Sequence, residues 1–217
     1  MSVSPDAPIE ISALAWVPEA GRGLVRDLRV RWALEEAGLD YRVRLLGWMN
    51  PRSDDYLREH PFGQVPIFIE GGVHMFETGA IVLHIGARSE TLLPADEIGR
   101  ARATTWVIAA LNSVEPAINE LSMLNVLHAN EEWARQRRPQ LVERIRDRLG
   151  RLAAYLGDKE HLEGAFTAGD LMMTTVLRIM PELVVDERLK AYVERCTARP
   201  AFQRALAAQL GDFRAAA

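Results

Sequence analysis

The N-terminal part of the chain alternates between a strand-like and a helix-like hydrophobic period. Residues 9–17, from Ile9 through Ser12 to Val17, read as a first strand. Over 24–37 the apolar positions Val30, Ala33, Leu34 and Ala37 share one face of a helix, and Gly38 is a natural C-terminal stop. Residues 41–46 alternate as a second strand. The stretch 50–60 reads as a loop with a short helix, for which Pro51 is a candidate first residue. Two further strands, 65–70 and 73–76, form a hairpin across Gly71-Gly72, and 78–87 is a helix. The predicted order is βαβ, short helix, ββα, with a parallel first unit, a right-handed crossover and an antiparallel hairpin at the end.

Beyond this the pattern is helical to the C-terminus. Residues 88–97, with Pro94 among them, are the expected linker. The predicted division is therefore 1–87, linker 88–97 and 98–217, an α/β domain followed by an all-α bundle. Leu141, Ile145, Leu149, Leu152 and Leu156 form one face of a bundle helix, in a run too short for a coiled coil. In Phe166-Thr167-Ala168-Gly169-Asp170-Leu171, Thr167 and Asp170 have the spacing of a capping box. Phe166 and Leu171 stand at the two positions of a hydrophobic staple. The expected role of this motif is folding. Arg199-Pro200-Ala201-Phe202 starts a last helix.

Composition narrows the function classes. At 217 residues the chain suits one large or two small domains. Its 26 basic and 30 acidic side chains give a net charge of −4, and the arginines are spread among acids, which argues against a nucleic-acid surface. The single cysteine, Cys196, rules out an internal disulfide framework and fits a reducing compartment; a buried structural thiol is the expectation. Residues 1–10 contain no Lys or Arg and lack a signal-peptide pattern, and no apolar run approaches the ~20 residues that span a bilayer. A cytoplasmic protein with no membrane partner is expected. The five histidines show no metal-ligand spacing, so no metal is expected, and neither a phosphate loop nor a nucleophile elbow is present.

The chemistry-bearing run is Phe62-Gly63-Gln64-Val65-Pro66-Ile67-Phe68-Ile69, closed by Phe76-Glu77-Thr78-Gly79-Ala80-Ile81. A helix starting at Glu77-Thr78 presents N–H groups to a carboxylate. Thr78 can cap that helix or add a hydroxyl donor, and Glu77 can take an ammonium as a charge-assisted partner. Together they suit an α-amino acid terminus. Proline is where a cis peptide bond is reachable, and an edge left open at Val65-Pro66 would take a peptide as an added strand. The plainer alternative is an ordinary strand start followed by an ordinary helix cap.

This run resembles the glutathione-binding half of cytosolic glutathione transferases. The resemblance extends over about 9–210, through the Phe166 box and the helix at Pro200. It implies a thioredoxin-like N-terminal domain with a cis peptide at Val65-Pro66. The Val65 backbone would pair with the cysteinyl part of glutathione, while Glu77 and Thr78 would hold the γ-glutamyl end. Gln64 would bond the glycyl or γ-glutamyl end, or equally face solvent. Trp48, Arg52 and His60 flank the same side, His60 as a loop residue rather than a base. The resemblance also implies glutathione as substrate, a small electrophile as partner, and a homodimer.

One departure concerns the chemistry. The family carries a Tyr, Ser or Cys just after the first strand to stabilise the thiolate of glutathione. From 13 to 40 this chain has no Ser, Thr, Cys, Tyr, His or Asn, and Ser12 lies too early, within the strand. Arg22, in Gly-Arg-Gly where the loop should turn into the first helix, is the candidate replacement, its guanidinium acting beside the N–H groups of the helix start. The alternative is a solvated surface arginine. Trp16 and Trp106 are the expected walls of a co-substrate site between the domains, with Pro116 interrupting the helix that carries Trp106. Three functions follow: a transferase conjugating glutathione to an electrophile, or a related isomerase or reductase; a binding protein that leaves sulfur unactivated; and a scaffold. A thioredoxin-type oxidoreductase is not the expectation, because there is no Cys-x-x-Cys and no cysteine in the first domain.

Overall fold

The computed structural model describes residues 3–48 and 52–215, with side chains to Phe213. The chain forms two compact units, one of residues 1–93 with 198–217 and one of residues 94–197.

The first unit is built on four strands in the order β2-β1-β3-β4. β1 (Ile9–Leu14) runs parallel to β2 (Tyr41–Leu46), from Ile9 opposite Tyr41 to Leu14 opposite Leu46. β3 (Phe68–Glu70) is antiparallel to β1 and to β4 (Val73–Met75). Gly71 and Gly72 both have positive φ, 53° and 87°, the backbone that a two-residue hairpin between right-twisted strands requires. This is the thioredoxin-like arrangement expected from the sequence, and the helices following it make up the expected all-α region.

α1 (Asp27–Ala37) starts three residues later than the periodicity suggests. Residues 19–21 form a separate 3-10 turn, and Gly23 at φ 76° breaks the path into the helix. Gly38 ends α1 in the left-handed conformation, as expected. α2 (Asp54–Glu59) is capped by Ser53, whose Oγ accepts from Tyr56 N–H. The helix thus begins after Ser53, while Asn50 and the candidate first residue Pro51 lie outside the described residues. α3 (Thr78–Gly86) follows β4.

The last helix, α9 (Pro200–Ala215), belongs to this first unit, whereas the sequence division assigned 98–217 to the second. The reason is a seam along α1. Trp32 packs edge-on against Phe202, with ring centroids 4.8 Å apart. Glu36 accepts two bonds from Arg199, at 2.6 and 2.8 Å. Gln209 donates to Asp27 at 2.7 Å. Arg31 bridges Asp27 and Asp212; burial works against its charge, but the two carboxylates more than offset this and raise its pKa.

The expected linker is packed rather than free. Leu92 and Leu93 are buried, and a Cβ on Gly86 would meet Leu93 at 2.9 Å.

The second unit contains α4 (Glu97–Ala109), α5 (Glu115–Leu127), α6 (Glu132–Leu156), α7 (Ala168–Leu177) and α8 (Glu187–Thr197). Between α4 and α5 the backbone makes a π turn over Ala110–Val114. Pro116 supplies no N–H for an α-helical bond at this point, which accounts for the interruption. The Leu141 to Leu156 stripe of α6 is buried. Thr167 and Asp170 form the capping box in full, and Asp170 also accepts from Leu162 N–H and Tyr192 O–H. Cys196 is buried and forms no disulfide. No described helix is long and apolar enough to cross a membrane. No group of three or more His, Cys, Asp or Glu among the described residues could hold a metal ion.

Candidate functional site

The candidate site starts where β1 leaves the sheet. Leu14 and Val17 pack with Phe213 of α9, and Val25, Val65 and Leu210 close over that cluster. The last helix thus supplies part of the apolar floor beneath Val65.

The segment that carries Val65 is tied down on both sides. Before it, Gly63 at φ 64° turns the chain, and Arg52 donates from Nε to Gly63 O at 3.0 Å and from its terminal nitrogen to Gly47 O at 2.9 Å. Tyr56 O–H donates to Gln64 O at 2.6 Å. Beyond it, Ile67 N–H donates to Ser12 Oγ at 2.9 Å, and Ser12 Oγ lies 2.8 Å from Tyr56 Oη. The Val65–Pro66 peptide bond is cis. Among the described residues neither the N–H nor the C=O of Val65 has a hydrogen-bond partner. A half-buried residue with unsatisfied backbone groups offers a short strand edge to a peptide-like ligand.

Glu77 occupies the cap position of α3 with φ 72° and ψ 109°, a region costly for a residue other than glycine, and its side chain makes no capping bond. Thr78 is the first helical residue and is buried. The expected cap at Thr78 is therefore displaced by one residue. Because no side chain caps this helix, its first N–H groups remain available beside the exposed Glu77 carboxylate. A carboxylate and an open helix N-terminus side by side can take the ammonium and carboxylate of one amino acid.

His60 packs between these two parts of the site. Its ring is stacked near Tyr56 and lies 5.0 Å from that of Phe76, the neighbour of Glu77. Burial lowers its pKa, with the Glu77 charge opposing. Its Nδ1 is buried and has no partner among the described residues.

Val65 and Pro66 lie in the loop before β3 and Glu77 and Thr78 at the start of α3, with the His60 ring 6.3 Å from Phe62 and 5.0 Å from Phe76. Gln64 exposes its side chain, and the bond from Tyr56 holds its carbonyl. Trp16 is 39% exposed and meets Trp48 edge-on at 6.3 Å. Arg22 is exposed at the end of the 3-10 turn. It does not share a helix start as expected, since α1 begins five residues further on and the intervening glycine breaks the path. Trp106 lies in the second unit, donates to Glu163 at 2.7 Å and packs against Tyr155 at 4.8 Å. Sequence reasoning missed Ser12 and Tyr56 as anchors. The available signal was a hydroxyl on a strand whose neighbours Ile11 and Ala13 are core residues.

Residues 20–87, which include Val65, Pro66, Glu77 and Thr78, match the family model of the glutathione S-transferase N-terminal domain. Over this stretch the chain carries a glutathione S-transferase N-terminal domain. Glutathione S-transferase 3 of Zea mays is 27% identical over 203 residues, covering 83% of this chain and 88% of that protein. Disulfide-bond oxidoreductase YfcG of Escherichia coli is 28% identical over 201 residues, covering 83% and 90%. Among solved structures, a glutathione transferase from Pseudomonas putida with glutathione disulfide bound superposes with a TM-score of 0.80 at 19% identity, covering 94% of this chain and 92% of that one. A family member from Pseudomonas fluorescens with two glutathione molecules bound gives 0.78 at 21%, covering 91% and 92%. These structural likenesses establish the glutathione S-transferase fold.

Proposed function

We propose that this chain binds glutathione, with the Val65 backbone pairing with the cysteinyl unit and Glu77, Thr78 and the start of α3 holding the γ-glutamyl end. The observation that carries this reading is the pairing of an open backbone edge at Val65 with an uncapped helix N-terminus beside the Glu77 carboxylate. Gln64, exposed beside Val65, is proposed to bond the glycyl or γ-glutamyl end. The reaction proposed is conjugation. The thiol releases its proton to solvent, the thiolate forms a carbon–sulfur bond with a small electrophile, and the displaced or accepting atom takes up the electron pair. Arg22 is proposed to stabilise the thiolate by charge. Trp16 and Trp106 are proposed as apolar walls for the electrophile, and the protein is proposed to act as a cytoplasmic homodimer.

A second reading has its own support. No hydroxyl, phenol or thiol occurs from 13 to 40, and Arg22 is exposed, with no side-chain ion pair among the described residues. A protein that holds glutathione without activating sulfur fits both facts. The relationship to a disulfide-bond oxidoreductase supports a glutathione-dependent reduction as a further variant.

An ultraviolet titration of glutathione with the protein, following thiolate absorbance against pH, separates these readings. A thiolate well below the pH of free glutathione supports the transferase. Saturable binding with no such shift favours the binding protein. No binding of glutathione rejects both.

A further inference from the structure

We propose that Ser12 and Tyr56 are positioning residues that fix the segment Gln64 to Ile67 in its ligand-ready conformation. The inference rests on the glutathione-binding reading and adds two residues that touch no ligand.

The hydrogen bonds run in one direction only. Gln64 O can only accept, so the Tyr56 proton is committed to it, at 2.6 Å. Ile67 N–H can only donate, so it occupies a lone pair of Ser12 Oγ, at 2.9 Å. The remaining bond, 2.8 Å between the two hydroxyls, must then carry the Ser12 proton to Tyr56 Oη. Each hydroxyl spends its one proton inside the chain. Both side chains are withdrawn from water, at 0% and 3% exposure, so no solvent competes for these bonds.

The two ends of this chain flank Val65-Pro66. One end fixes the carbonyl immediately before Val65, and the other fixes the amide immediately after Pro66. Ser12 adds a backbone bond, from its N–H to Ile67 O at 3.2 Å, which locks the same segment to β1. Tyr56 is itself held in place. The guanidinium groups of Arg44 and Arg52 lie 5.6 and 5.8 Å from its ring centre, and Arg52 also binds Gly63 O. These side chains take up Gly63 O, Gln64 O and Ile67 N–H, and the Val65 backbone groups are among those left without a partner among the described residues. A ligand that pairs with that backbone gains affinity when the loop is already ordered, because less conformational freedom is lost on binding.

The test uses Tyr56→Phe, which removes one oxygen and keeps the ring between the two arginines. The freed Gln64 carbonyl sits on an exposed residue and can turn to water, so the protein should stay folded. The expected result is glutathione affinity about tenfold weaker by calorimetry, the size of one net buried hydrogen bond. Faster hydrogen exchange at the Ile67 amide should accompany it. In an assay with an electrophile, the KM for glutathione should rise with kcat unchanged, since neither hydroxyl reaches the reacting sulfur. Ser12→Ala should weaken binding in the same way, and adding Tyr56→Phe to it should cost little more, because both residues act through one chain. Tyr56→Phe binding glutathione as tightly as the parent, with Ile67 exchange unchanged, would overturn the inference and leave the functional reading standing. A parent protein that binds no glutathione would overturn both.

Discussion

Gly169 on α7 lies so close to Trp106 on α4 that a Cβ at position 169 would stand 2.4 Å from Trp106 Cβ. The two helix backbones approach this closely because the glycine carries no side chain, and the buried capping box sets the position of α7. Gly169→Ala should therefore destabilise the protein by about 2–3 kcal/mol, the usual cost of overpacking a tight core, although alanine is the better helix former. Urea denaturation measures this. A loss below about 0.5 kcal/mol would mean that the helices separate at little cost.

Glu36 joins α1 to α9. Its carboxylate accepts from Trp32 Nε1 at 2.9 Å and takes both bonds from Arg199. Glu36→Ala should cost about 1–3 kcal/mol, less than a fully buried pair because Arg199 is partly exposed and can turn to water. The midpoint of urea denaturation should fall while its slope holds. An unchanged midpoint would show that the remaining contacts, such as Trp32 with Phe202 and Gln209 with Asp27, hold α9 without Glu36.

Two substitutions separate binding from sulfur activation. Glu77→Gln removes the charge proposed to meet the ligand ammonium and should weaken glutathione about 10- to 100-fold, the range of a charge-assisted hydrogen bond. Arg22→Ala should raise the pKa of bound glutathione and slow turnover, while S-methylglutathione, which has no ionisable thiol, binds as before. Unchanged thiolate pKa and turnover in Arg22→Ala would remove Arg22 from the mechanism.

Burial lowers the pKa of His60 below the ordinary 6.5. The unfolded chain therefore takes up the proton first as pH falls. Stability from keeping this ring neutral is fully present above about pH 6.5 and declines as pH drops through that value toward the folded pKa. His60→Phe retains an aromatic ring beside Tyr56 and Phe76 and should flatten the stability profile below about pH 6.5. Denaturation curves across that window provide the check, and an identical slope in both proteins would assign the dependence to other groups.

The legibility of the site differed between its parts. Val65-Pro66 and Glu77-Thr78 could be read directly, because a proline after an apolar residue and an acid-threonine pair before a helix are local chemistry. Their anchors could not. Ser12 and Tyr56 are 44 positions apart, and nothing within either local window names the other as partner. The start of α1 was misplaced for a related reason. The helical period continues through 24–26, but the positive φ of Gly23 and the buried pair of Asp27 with Arg31 set the boundary.

By itself the sequence determined the order of strands and helices, the Gly71-Gly72 turn, the capping box at Thr167 and the place of Glu77-Thr78 at the start of α3. Each depends on backbone preferences and side-chain spacing within a few residues. Tertiary structure alone decided that α9 joins the first unit and lines the floor beneath Val65, that Arg22 stands on a turn of its own, and that a buried hydroxyl chain holds the site loop. An amphipathic helix shows that it must bury a face, but its period does not say against which neighbour. That choice is made by contacts such as Trp32 with Phe202 and Arg199 with Glu36, whose partners meet only once the chain has folded.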